Sequence, residues 1–200
     1  WEIGINYTGK KVVKPVVEDK LLQGQKPDID SLRVYNMIIQ SDGSTEKGTE
    51  VDRDDYTVSY VGDELRVLFK NEINSPYIIT FNTSLEGALI DNNIDNTAVL
   101  MDDSKQVSGD LTATVNVPQA GEYVVKQGTQ NGERINWKVF VNRAQSYVED
   151  AKIIDIPSGN QLLIEDTFKL YATGVAVNGD VRKGAELVRD KDYTLRIIVD

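Results

Sequence analysis

The chain has 200 residues, 40% of them apolar and 27% charged, so it carries enough apolar surface to bury a core and is not disordered wholesale. Its 32 acidic residues against 22 basic ones give a net charge of −10, a field that repels nucleic-acid phosphates and anionic lipid surfaces. The absence of cysteine and histidine excludes disulfides, thiolate nucleophiles, imidazole bases and the usual zinc ligands.

In chain order, period-two runs rich in β-branched and aromatic residues predict half-buried strands over Trp1–Asn6, Leu32–Tyr35, Tyr56–Tyr60, Leu65–Phe69 and Leu111–Val117. Between them, Ser41-Asp42-Gly43-Ser44, Val61-Gly62-Asp63, Asp91-Asn92-Asn93 and Asn178-Gly179-Asp180 carry turn chemistry. No segment predicts a helix of three turns, and no run reaches the roughly 20 apolar residues of a membrane-spanning helix. Short strands with turns between them predict an all-β, antiparallel sandwich, each strand turning one face inward.

The sequence also repeats. Trp1–Asn6 returns as Trp137–Asn142, an offset of 136 residues that also carries Asp19 to Asp155, Asp30–Tyr35 to Asp166–Tyr171 and Glu50 to Glu186. One added residue then aligns Asp55–Val58 with Asp192–Leu195. An ordered series at constant register implies duplication. It predicts a first unit over 1–118, ending near Val117-Pro118, and the front part of a second over 119–200, with Gly121–Gly128 as its opening strand. By the same register the first copy lacks that opening strand and the second is incomplete at its C-terminal end. Trp1 and Trp137 are expected to fill equivalent interior positions.

The pieces are familiar in order and spacing: a strand ending in Lys126-x-Gly128, then Ile135-x-Trp137-x-Val139-x-Val141-Asn142, then Ile153-Ile154-Asp155 before Pro157-Ser158-Gly159, then Asp166–Tyr171. Together with Tyr77–Thr83 and Asn96–Leu100, this order resembles the collagen-binding-type domains of Gram-positive cell-wall adhesins. The resemblance implies a variant immunoglobulin-like sandwich at the extracellular cell-wall surface, arranged in tandem as a stalk. It also implies a spontaneous Lys–Asn isopeptide cross-link assisted by a buried acid. Carried over by position, the second copy offers Lys126 as amine and Asp155 as acid, and the first offers Asp19 as acid and Asn96 as amide. The first copy's lysine falls before Trp1, and the second copy's asparagine falls past Asp200.

The residue types suit that chemistry. Burial favours a neutral, nucleophilic lysine, and a carboxylic acid kept protonated by the same desolvation stabilises the developing oxyanion while ammonia leaves. Against this stand plainer readings: Lys126 as a solvated strand residue, Asp19 and Asp155 as turn caps, and Asn96 as a turn residue. Because the two copies have complementary defects, residues 119–136 folding back onto the first copy would complete it, as would the same strand swapped between molecules.

No cofactor or metal is expected, since the acidic clusters Asp52–Asp55, Asp91–Asp95 and Asp102-Asp103 lack calcium-loop spacing. An enzymatic reading would need a placed carboxylate pair, and no pair stands out. The expected role is therefore non-enzymatic, with neighbouring repeats as partners. The alternative is a domain that itself binds a host matrix protein such as collagen.

Overall fold

The computed structural model describes residues 1–176 and 180–198, so Asn178 and Gly179 of the last predicted turn lie outside the described residues. Among these, the chain is all-β, with two single 3₁₀ turns at Arg53–Asp55 and Glu165–Thr167. In chain order the strands are β1 (Glu2–Ile5), β2 (Pro15–Leu21), β3 (Lys26–Ile39), β4 (Thr45–Glu50), β5 (Tyr56–Val61), β6 (Glu64–Phe69) and β7 (Tyr77–Ser84). There follow β8 (Asn93–Asp102), β9 (Lys105–Gln106), β10 (Leu111–Asn116), β11 (Val124–Asn131), β12 (Arg134–Val141), β13 (Tyr171–Val175) and β14 (Val181–Glu186). Every pairing between these strands is antiparallel.

Contacts divide the chain into two compact units, Trp1–Gly121 with Gln145–Tyr147, and Glu122–Ala144 with Val148–Asp200. In the first, one sheet runs β1-β7-β3-β4 and the other β10-β8-β2-β6-β5, with β9 also pairing β8. The two sheets share one core, in which Ile5, Val34 and Ile79 of one sheet join Val17, Leu65 and Leu100 of the other. Alternation explains the packing: along β2, Pro15, Val17, Asp19 and Leu21 are buried, while Val16, Glu18 and Lys20 lie outward. Burying an aliphatic side chain of this size contributes about 1.5–3 kcal/mol, so a core of this kind serves in place of disulfides.

The second unit is built from two hairpins, β11–β12 and β13–β14. Gly132-Glu133 turns the first, with Gly132 at φ 61°, where a side chain would be strained. The second hairpin copies β3–β4 closely. Tyr35 pairs Glu50, Met37 pairs Lys47 and a bulge intervenes. At an offset of 136, Tyr171 pairs Glu186, Thr173 pairs Lys183 and a bulge again intervenes. The turn leaving the first strand recurs too: Asn6 and Gly9, at φ 53° and 62°, correspond to Asn142 and Gln145, at φ 52° and 59°.

Here the expectation for the tryptophans needs correction. Trp1 packs against the first unit's core, and its indole N–H donates to Gln25 Oε1 at 2.9 Å and Thr83 Oγ1 at 3.1 Å. Trp137 is 48% exposed, its ring lying across Gly128. The difference lies in the pairing: β7 lies beside β1 and supplies Thr83, whereas among the described residues β12 pairs only with β11. The segment corresponding to β2, residues 151–157, likewise forms no strand, and among the described residues no strand flanks it as β6 and β8 flank β2. Among the described residues, none of the second unit is buried.

Candidate functional site

Period-two geometry decides which polar side chains face inward. Asp19 sits in the middle of β2 between buried Val17 and Leu21, and Asn96 sits on β8 between buried Ile94 and Ala98. The β2–β8 register sets Leu21 opposite Asn96 and Asp19 opposite Ala98, so the two polar residues are diagonal neighbours on the interior face. Asn96 Nδ2 donates to Asp19 Oδ2 at 2.9 Å. Asp19 is 2% exposed and Asn96 is 4% exposed. These are interior strand residues, which corrects the reading of either as a turn residue.

The pair is not satisfied. Asp19 Oδ1 and Asn96 Oδ1 are buried and have no hydrogen-bond partner among the described residues. A buried polar atom left this way costs about 1–3 kcal/mol. Desolvation pushes the Asp19 carboxyl up to about 6, against the opposing pull of the Asn96 hydrogen bond and the Trp1 ammonium. Near pH 6 the group therefore lies close to its titration midpoint, able both to donate a proton and to take one back.

The second unit holds the other two candidates. Lys126, the third residue of β11, places Nζ at 2.7 Å from both carboxylate oxygens of Asp155. The same ammonium lies 4.3 Å from the centre of the Trp137 ring. Both side chains of the ion pair are partly exposed. The structure thus brings Asp19 to Asn96 within one unit and Lys126 to Asp155 within the other.

One participant escaped the sequence reading. Gln25 is buried, accepts from Trp1 Nε1 and donates through Nε2 to the Asp95 carbonyl at 3.0 Å, next to Asn96. It ties the start of β1 to the strand that bears the amide. Its counterpart at the same offset is Gln161, a repeat visible in the sequence alone. Among the described residues, no group of carboxylates is placed to hold a metal ion.

Comparison with known proteins follows the same division of the chain. The collagen binding domain family matches residues 1–108 and again residues 121–198. No curated protein matches the chain. Among solved structures, the collagen-binding domain of a Staphylococcus aureus adhesin is 15% identical, with 58% of this chain and 86% of that chain covered and a TM-score of 0.39. The collagen binding subdomain of the Enterococcus faecalis surface protein ACE is 13% identical, over 58% and 86%, with a TM-score of 0.36. The full-length major pilin SpaD of Corynebacterium diphtheriae is 14% identical, over 68% of this chain and 34% of the pilin, with a TM-score of 0.40.

Proposed function

The chain belongs to the collagen binding domain family, a non-enzymatic adhesin family, and from that premise we infer that it is stalk material: tandem immunoglobulin-like sandwiches that space an adhesive tip from a Gram-positive cell wall. The recurrence of one pairing register, bulge included, at an offset of 136 residues supports a spacer whose length scales with copy number.

The observation that carries the mechanism is the buried, half-satisfied Asp19–Asn96 pair. In this reading it is the acid-and-amide half of a Lys–Asn cross-link. A neutral lysine amine adds to Asn96 Cγ while protonated Asp19 donates to the amide oxygen, stabilising the tetrahedral intermediate. Collapse then breaks the Cγ–Nδ2 bond. The amine's surplus proton reaches Nδ2 through Asp19, ammonia leaves, and one amide replaces another with no change of oxidation state. The new bond joins strands covalently, so that a pulling force no longer rests on the hydrogen-bonded ladder alone.

A synthetic peptide of residues 121–131 supplies the amine. Incubated with the chain, it is expected to give an adduct whose mass is the sum of the two less one ammonia, abolished by N96A. No adduct at any pH between 5 and 9 overturns the cross-link reading.

The family's description favours a second reading, in which the unit itself takes a collagen-like ligand. Saturable binding of labelled collagen to the purified chain at modest salt would replace the stalk reading with this one, and flat binding retains the stalk.

A further inference from the structure

The first folded unit does not end where the first sequence copy ends. It takes in Gln145–Tyr147, which follow β12, while Glu122–Ala144 belong to the other unit. The register of 136 identifies this segment. Asn142 and Gln145, at φ 52° and 59°, correspond to Asn6 and Gly9, so Ser146 and Tyr147 complete the turn after β12 as Lys10 and Lys11 complete the turn after β1.

Within the first unit this segment meets the connection between β7 and β8, residues 85–92. A connection without a strand ladder needs other partners for its buried backbone groups. Ile90 is buried, and its carbonyl accepts from the Gly121 N–H at 3.2 Å while its N–H donates to Ser146 Oγ at 2.9 Å. Two residues earlier, the Ala88 carbonyl accepts from the Tyr147 N–H at 2.9 Å. Two residues later, the Asn92 carbonyl accepts from the Val117 N–H at 2.8 Å. Every second residue of the loop is thus bonded to the 117–121 turn, to Ser146-Tyr147 or to both. Other contacts hold the loop to the body of the unit: Lys26 Nζ donates to the Glu86 carbonyl at 3.2 Å, and Gly24 lies so close that a Cβ there would meet Ala88 Cβ at 2.9 Å.

The side chain at position 146 is fitted to this loop and not to the turn that carries it. Ser146 is only 5% exposed, and its hydroxyl is a compact acceptor for the buried Ile90 N–H. In the first copy the same turn backbone carries exposed Lys10 and Lys11. There the Lys10 N–H donates to Asn6 Oδ1 at 3.0 Å, and Lys11 pairs with Glu72 at 2.8 Å. A lysine at 146 would bring an ammonium to a buried position and offer the Ile90 N–H no acceptor. One backbone conformation therefore serves both copies, and serine stands where the turn is buried against the loop.

We propose that the 85–92 loop is a docking surface whose occupant is the turn 142–147 of the following copy, with Ser146 as the residue that specifies the fit. A copy is then completed by its successor, since the partners of Ala88 and Ile90 are all in place only once the chain extends through Tyr147. Folding of one copy is thereby coupled to its neighbour, as nearest-neighbour terms couple other repeat arrays. The docking stands on the hydrogen bonds of Ala88 and Ile90, and it holds whether or not a cross-link forms at Asn96.

Amide hydrogen exchange of the full chain, read residue by residue by NMR, tests this. In the wild type the Ile90 and Tyr147 amides are expected to show matching protection, because one local opening exposes both. Ser146→Ala is expected to speed exchange at both by about ten- to a hundredfold, the effect of leaving a buried N–H without its acceptor. Ser146→Lys, which installs the first copy's residue, should speed it at least as much. The Val17 and Leu65 amides of the first unit's core should keep their wild-type rates in both variants, and Lys10→Ala should leave Ile90 unchanged. A Tyr147 amide that exchanges freely in the wild type, or an Ile90 amide equally slow with and without the Ser146 hydroxyl, overturns the docking. Core amides that accelerate together with Ile90 overturn it too, since Ser146 would then support the whole unit and not one docked turn.

Discussion

Asp19 shows how one residue's placement sets both a cost and a capability. Its carboxyl titrates near 6 in the folded chain, against 3.8 ordinarily, so the folded state holds a proton that the unfolded state releases between those values. Stability from this group is therefore fully present below about pH 4 and is lost as pH rises through 6, a swing on the order of 3 kcal/mol. Asp19→Asn removes the titration while keeping the shape. Urea unfolding should show the difference between variant and wild type widening in favour of the variant by that amount from pH 4 to pH 7, and a constant difference would contradict the burial argument. The inward position of Asp19 was legible in Val17-x-Asp19-x-Leu21, since period two places the aspartate with its apolar neighbours. Its contact with Asn96 was not legible from that pattern, because pairing β2 to β8 is a matter of topology and local periodicity carries no information about it.

At the scale of elements, strands were read well where the partner is near in sequence or the alternation is strict. β1, β5, β6 and β10 all fall where apolar residues alternate between turn residues. Residues 151–157 have the same kind of pattern but no ladder, since a strand needs neighbours and not propensity alone. That difference is measurable at matched positions. Leu32 is buried in the first unit's core, while its counterpart Phe168 is exposed. Leu32→Ala should cost about 2–5 kcal/mol in urea unfolding, as a large-to-small change in a packed core does. Phe168→Ala should cost less than about 1 kcal/mol despite removing the larger side chain. Turn geometry gives a second contrast. Where the first copy places Gly9, the second carries Gln145 in the same left-handed conformation. Gln145→Gly should raise the melting stability by up to about 1 kcal/mol, whereas Gly9→Ala should lower it, because its new Cβ also meets the Asn74 carbonyl oxygen at 3.1 Å.

At the scale of the molecule, two local features recur at the offset of 136: the same turn conformation after β1 and β12, and the same bulge in β3–β4 and β13–β14. Tryptophan was a poor guide to burial because its environment depends on strands far along the chain, and only Trp1 has them. What distinguishes the first unit is a packed core that holds an acid and an amide hydrogen-bonded to each other in its interior. The most direct test is the intact mass, in denaturant, of the chain incubated with the peptide of residues 121–131. An adduct with the summed mass less one ammonia, absent when Asn96 is replaced by alanine, is predicted. Chain and peptide each keeping their full separate masses would contradict the account.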